Sequence, residues 1–345
     1  MHHRVTSLTR EYGPIVRVAP DHLVLDGSVG WPEVYGHRKA GQPEFEKKKG
    51  FFLGNDTSII ASPRDAHRRQ RRQLGHAFSE AALFEQQETI LQYIDMLLRG
   101  LSKEAEKGKP LDIVKWLNLT TFDIIGDLAF SESFDGLDSG EYHPWVSIFF
   151  QMLRGNALIR FGKFYPYFSP FMKAIVATVN GGLIKSGIEH RRMSKEKAEA
   201  RMKSGSLSKD GRRDFMTYMM KDGKGAGTGM THGEIMENSP VLVVAGSETT
   251  ATALSGFFFY NGTHPKVFET LKQEVRSSFS NESEMNIKSV AQLPYLHACI
   301  EETLRMYPPV AETPPRVSPG AQLDGKHVPA GVSPISTRRF RAPSN

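Results

Sequence analysis

Three short groups of residues in this sequence carry side chains suited to chemistry. The first is Ala245-Gly246-Ser247-Glu248-Thr249-Thr250, set in the middle of an apolar run. A hydroxyl beside a carboxylate is a short proton relay. Thr249 is spaced to bond back to the Ala245 carbonyl, which loosens a helix and admits water. Gly246 costs about 1 kcal/mol against alanine inside a helix, a cost that makes sense if a flat group must approach the backbone. A helix–helix contact lined with small residues accounts for the same stretch equally well. The second group is Glu302-Thr303-Leu304-Arg305, whose acid and base lie three apart on one helix face and can pair. The third is His67-Arg68-Arg69-Gln70-Arg71-Arg72. His67 and Arg71 are four apart, so they point the same way and can grip one carboxylate with charge-assisted bonds worth roughly 1.5–3 kcal/mol each when partly buried. Arg316, in an extended segment after Thr313-Pro314-Pro315, offers a further donor. The arginine run also reads as a solvated face or an RNA-binding helix.

These residues need helices to hold them, and the sequence punctuates helices clearly. Ser62-Pro63-Arg64-Asp65 predicts a helix start with Ser62 as N-cap and Asp65 closing a capping box. Ser79 starts a second helix that runs through Leu83, Ile90, Ile94 and Leu97, and helical spacing continues through Ile113, Leu117, Ile124 and Leu128. Thr231-His232-Gly233-Glu234 is another capping box, and the long apolar helix follows it, with Pro240 expected to kink it or split its first turns. Asn261-Gly262 ends that helix, Thr263 and Pro265 start the next, and Leu293 to Tyr307 is one more, stopped by Pro308-Pro309. Strands are few. Ile15–Val18 and Leu23–Leu25 read as a pair around Pro20-Asp21, and Leu323-Asp324-Gly325-Lys326 is a hairpin turn. Residues 201–230, basic and glycine-rich, read as a surface connection.

The 345 residues are 39% hydrophobic and 24% charged, a globular balance that excludes a disordered tail, a collagen or a disulfide scaffold. One cysteine, Cys299, closes no intrachain disulfide and builds no cysteine-rich metal site, so no metal centre is expected from protein ligands. The whole net charge of +6 sits in residues 190–213, which reads as a solvated helix end and loop, so no nucleic-acid partner is expected. Met1-His2-His3-Arg4 lacks the apolar run of a secretory signal. Val241–Tyr260 is long enough to span a bilayer. A carboxylate at mid-span would cost roughly 2.5–3.5 kcal/mol, so the stretch reads as a buried helix with a polar middle and the chain as soluble.

Taken together and in order, the three groups resemble the cytochrome P450 family, the haem-thiolate monooxygenases. Ala245–Thr250 is similar to that family's oxygen-activation motif and Glu302–Arg305 to its E-x-x-R helix; Thr121–Phe130 and Gln292–Leu296 are similar to fungal members of secondary metabolism. The resemblance covers about residues 10–330. It implies one domain over 1–345, mainly α with small β-sheets. It also implies haem as cofactor, a small apolar metabolite as substrate, and electrons from NADPH through a cytochrome P450 reductase. By the same resemblance Glu248 and Thr249 would be catalytic, delivering protons and hydrogen-bonding bound oxygen. His67, Arg71 and Arg316 would hold the haem propionates, Ala245 and Gly246 would border the haem, and Glu302 and Arg305 would be structural. Phe149, Phe150 and Met152 would lie near the substrate or serve as plain packing.

The sequence departs from the family pattern at both ends. The glycine-rich loop that carries the family's iron-ligating cysteine, and the helix after it, are not found after Arg305. Val328–Val332 still fits the pattern, whereas Ser333–Arg339 fits poorly. Cys299, on the same helix as Glu302, reads as a small buried apolar residue rather than an iron ligand. No membrane anchor of the kind that holds family members to the endoplasmic reticulum opens the chain. The expectation is a family member trimmed at both ends and impaired in turnover, with a non-catalytic remnant or ligand-binding pseudoenzyme as the alternative.

Overall fold

The computed structural model describes residues 2–38, 41–51, 56–108, 110–143, 145–146, 169–205, 207–208, 211–221 and 229–336. Phe149, Phe150 and Met152 lie outside the described residues. The chain forms two compact units. One takes residues 1–54, 256–282 and 291–345, and the other residues 55–255 and 283–290.

The first unit holds the β-structure. After α1 (His2–Tyr12), β1 (Ile15–Ala19) and β2 (His22–Leu25) form the expected antiparallel pair around Pro20-Asp21. β2 is buried along its whole length because β7 (Ser333–Ser336) pairs with its other edge in parallel. A short helix α2 (Gly27–Gly30) runs into a π-helical turn, Trp31–Tyr35. Then β3 (Glu46–Lys47) pairs with β4 (Arg316–Val317), and β5 (Ala321–Leu323) with β6 (Lys326–Val328). Asp324 and Gly325 both have positive φ, as a two-residue hairpin of this hand demands. Leu23, Leu25, Val29, Val34, Phe45 and Leu323 form the unit's core.

The second unit is helical: α3 (Arg64–Gly75), α4 (Glu80–Glu106), α5 (Ile113–Phe130), α6 (Gly136–Ser139), α7 (Ser169–Lys203), α8 (Phe215–Met220) and α9 (His232–Gly246). Ser79 caps α4 by accepting from the Ala82 N–H. α3 starts one residue later than its sequence predicts. Pro63 is the cap and makes no side-chain bond, Ser62 is buried, and Asp65 faces Arg68 instead of closing a box. Residues 201–230 are not merely a connection: α8 lies among them, and Phe215, Met216 and Met219 enter the core with Phe122, Phe134, Trp145 and Val243. The Thr121–Phe130 stretch is architectural. The Asp123 carboxylate accepts the backbone N–H groups of Phe134, Gly136 and Leu137. Asp127 accepts from Tyr93 and Arg212.

The basic segment 190–213 is largely neutralised. Arg191 and Lys195 pair with Glu237, Lys197 with Glu132, Arg201 with Asp214 and Arg212 with Asp127. That pairing explains why so many cations sit on a helix that packs against α9.

α9 is followed by α10 (Glu248–Thr263), α11 (Pro265–Ser278), α12 (Ile287–Val290) and α13 (Pro294–Met306). The capping box at Thr231 is complete in both directions. Pro240 does not break the helix. The interruption comes at Ser247, whose hydroxyl takes the Val243 carbonyl, followed by Thr249, whose hydroxyl takes that of Ala245. Two hydroxyls that take i−4 carbonyls loosen this turn. His232–Thr263 is the one stretch of the described residues long and apolar enough to cross a membrane, with 28% of its apolar window buried. The expected burial therefore holds for α9 only; most of α10 is half-buried or exposed.

Candidate functional site

The helix interruption positions the first group. Gly246 ends α9, Ser247 stands between the helices, and Glu248 opens α10. The Thr249 hydroxyl donates to the Ala245 carbonyl at 2.5 Å, as its spacing predicts. The Glu248 carboxylate accepts from Thr252, at 3.4 Å, and not from Thr249. The adjacent pair is therefore not a direct relay in this structure, because helical geometry turns residues 248 and 249 about 100° apart and brings 248 over 252. Burial raises the Glu248 carboxyl above its ordinary range, opposed by Thr252, so it holds its proton more readily than an exposed glutamate. A Cβ on Gly246 would lie 2.5 Å from Cδ1 and 2.7 Å from Cγ1 of Ile125. Of the two readings of Gly246, the geometry supports close approach of α9 to α5. Ala245 is exposed.

His67 and Arg71 lie on α3 in the same unit. His67 Nδ1 is 2.8 Å from the Ile59 carbonyl, so Nδ1 carries the proton and Nε2 donates only in the protonated ring. Arg71 is exposed. The arginine that α3 turns inward is Arg69, read in the sequence only as part of the arginine run: it makes a two-pronged pair with Glu234 (2.8 and 2.5 Å) and reaches the Gly229 carbonyl. Burial alone would raise the Glu234 carboxyl, but Arg69 and the Thr231 N–H hold it below the usual range. Gln70 and Asn238 complete this network. A cleft of about 590 Å³ between α4 and the start of α5, lined by charged residues such as Arg99 and Lys115, touches none of the sequence-predicted site residues.

The remaining predicted residues lie in the other unit. Arg305 grips Glu302 with Nε and Nη2, 2.6 and 2.5 Å from the two carboxylate oxygens. Arg316 stands over the Tyr35 ring, 5.4 Å from its centroid. Its Nε is buried and meets no acceptor among the described residues. Directly opposite Arg316 across the β3–β4 ladder is Lys47. Burial and the neighbouring guanidinium push the Lys47 amine down to about 8. Two residues along the same strand face, Phe45 carries Arg38 over its ring at 5.0 Å, and Arg38 too has buried Nε and Nη2 atoms with no acceptor among the described residues. Nothing local marks Lys47, which stands in the run Lys47-Lys48-Lys49 and reads as a solvated charge run. The one signal is the alternation of buried Phe45, exposed Glu46 and half-buried Lys47.

A buried guanidinium donor without an acceptor, beside an amine stripped of part of its basicity, fits an organic carboxylate. The donor set thus suits the propionates of a haem. The sulfur donor is another matter. Cys299 is half-buried on α13, its thiol raised by burial and by Glu274, the reverse of what a metal-binding thiolate needs. No cluster of three or more histidine, cysteine or acidic residues suited to a metal occurs among the described residues.

Comparison with known proteins adds a second line. Residues 1–335 match the model of the family described as Cytochrome P450. A cytochrome P450 monooxygenase of Aspergillus oryzae, astJ, is 38% identical over 340 residues, which cover 96% of this chain and 66% of the relative. The trichothecene C-15 hydroxylase of Fusarium sporotrichioides is 37% identical over 329 residues, 94% of this chain and 65% of the relative. A second Aspergillus oryzae monooxygenase, aclL, is 38% identical over 334 residues, 95% and 66%. The chain thus spans just under two thirds of the length of these curated relatives.

Proposed function

The chain belongs to the cytochrome P450 family, and from that premise we propose that it is part of a haem-dependent monooxygenase that oxidises a small apolar metabolite in fungal secondary metabolism. Haem, when bound, supplies the oxygen-activating chemistry; NADPH is the source of electrons, delivered through a cytochrome P450 reductase. We read the two compact units as parts of one domain, because each is assembled from separated stretches of sequence and α10 runs from one into the other.

The observation that carries the proposal is the buried, orphaned Nε of half-buried Arg316, a donor awaiting a carboxylate. Arg316 would hold a propionate; by the family resemblance alone, His67 and Arg71 on α3 are donors of the same kind. Glu248, raised by burial, would hold a proton near neutral pH more readily than an exposed carboxylate. Thr249 would exchange its bond to the Ala245 carbonyl for one to the oxygen substrate, and the loosened turn at Ser247 would give water access to both. Glu302 and Arg305 would orient the end of α13.

A second reading, a chain that holds a ligand without turnover, is favoured by Cys299. Its thiol, raised by burial and by Glu274, is unsuited to ligate iron. One experiment separates the two. The chain is loaded with haem, reduced and exposed to carbon monoxide. A thiolate-type Soret shift supports the monooxygenase, haem uptake without the shift supports the second reading, and no uptake sinks the haem assignment altogether.

A further inference from the structure

We propose that Arg38 is a binding site for one carboxylate group, taken side-on by its Nε and Nη2. The site is defined by its own geometry and goes beyond the donors that the family resemblance assigns. It rests on the haem reading only where the carboxylate is a propionate.

Nε and Nη2 of Arg38 are buried, and neither meets an acceptor among the described residues. These two nitrogens form one edge of the guanidinium, on which two N–H groups run parallel. The same edge holds carboxylates elsewhere in the chain. Arg305 reaches both oxygens of Glu302 through Nε and Nη2, at 2.6 and 2.5 Å. Arg201 takes both oxygens of Asp214 in the same way. A buried charged donor left without an acceptor carries a desolvation cost that a bound anion offsets.

The chain around Arg38 fixes this edge in place. Arg38 stands over the Phe45 ring, 5.0 Å from its centroid, and Phe45 is buried in the core of its unit. Three residues before Arg38, the Tyr35 hydroxyl donates to the Pro314 carbonyl and accepts from Thr313. The ring face of Phe45 attracts the charge but leaves Nε and Nη2 unbonded. The acids nearby in the chain do not supply the acceptor. Glu33 accepts from the Asp324 N–H, the charge of Glu44 acts on Arg316, and Glu46 is exposed. A guanidinium stays protonated in a folded protein, so its demand for an anion does not titrate away.

Two parallel donors match the two oxygens of a carboxylate, a planar monoanion. A phosphate would bring further oxygens into a buried place where this edge has no donors for them. The ligand class is therefore an organic carboxylate, whether a haem propionate or a small organic acid.

The test follows the Nε–H resonance of Arg38 in the full, isotope-labelled chain, identified by its loss in Arg38→Lys. Through-bond assignment from the Arg38 backbone identifies the same resonance without a variant. The titrants are acetate, methyl acetate, inorganic phosphate, zinc protoporphyrin IX and its dimethyl ester. Acetate is expected to move the signal downfield to saturation, and methyl acetate and phosphate are not. Arg38→Lys keeps the charge and loses the edge. It should bind zinc protoporphyrin IX about tenfold more weakly than wild type and bind the dimethyl ester equally well. A signal that moves with the porphyrin but not with its ester upholds the proposal, with a propionate as the source. A signal that saturates with acetate while the porphyrin binds without moving it upholds the site for a small acid. Saturation with acetate and no porphyrin binding upholds the site and removes the haem reading. If the porphyrin binds and neither it nor acetate moves the signal, the proposal is overturned and the haem reading survives. If nothing moves the signal and no porphyrin binds, both fall. An equal response to phosphate or methyl acetate overturns the assignment to carboxylates.

Discussion

Trp145 donates its indole N–H to Nδ1 of His190 across 2.6 Å, and that contact decides the tautomer of a buried histidine. With Nδ1 an acceptor, the ring proton sits on Nε2, which donates to the Pro240 carbonyl at 3.3 Å. One imidazole thereby ties Trp145, α7 and α9 together at the turn where proline interrupts the helix's own bonding.

That relationship sets a pH dependence. Burial pushes His190 down to about 4, with the Pro240 bond opposing. Unfolded, the ring titrates near its ordinary 6.5, so below that value the unfolded chain binds the extra proton first. The stability is fully present above about pH 6.5 and is lost as the pH falls toward 4, by roughly 3 kcal/mol in all. Urea unfolding of wild type and His190→Phe at pH 7, 5.5 and 4.5 checks this. The variant should be less stable at pH 7 and should lack His190's share of the slope; parallel pH profiles would rule the assignment out.

Arg201 and Asp214 form an ion pair in which each side chain is 3% exposed, further bonded to Thr217, Ser131 and the Gly205 carbonyl. Removing one partner strands a buried charge. Arg201→Met should cost about 3–5 kcal/mol, and adding Asp214→Asn should recover part of it. Additive losses in the double variant would show that the pair is not coupled.

Gly246→Ala tests what the glycine is for. The added methyl would press on Ile125, so a loss of about 1–3 kcal/mol is expected, relieved in the double variant with Ile125→Ala. A neutral Gly246→Ala would instead mean that the α9–α5 contact does not require glycine.

Glu302 is 59% exposed, and its partner Arg305 lies one turn along the same helix. Despite good geometry, an exposed pair of this kind contributes little. Glu302→Ala should change stability by less than about 0.5 kcal/mol, measured by chemical denaturation. A loss several times larger would show that the pair anchors more than its own helix.

What could be read directly from the residues is what closes within a few positions of the chain. The Thr231–Glu234 box, the Ser79 cap, the Asp324-Gly325 turn, the bond from Thr249 to Ala245 and the Glu302–Arg305 pair all have partners two to four residues away, where backbone geometry leaves little choice. The family resemblance rests on the same local groups. Tertiary structure decided the rest. It turned Arg69 rather than Arg71 inward, because Glu234, 165 positions on, waits there. It carried the helix through Pro240 and broke it at Ser247, gave Glu248 to Thr252, and set Lys47 beside Arg316 across 269 residues of chain. Those outcomes depend on which charges and carbonyls burial brings together. A buried donor takes whichever acceptor packing supplies, and spacing along the chain does not specify that acceptor.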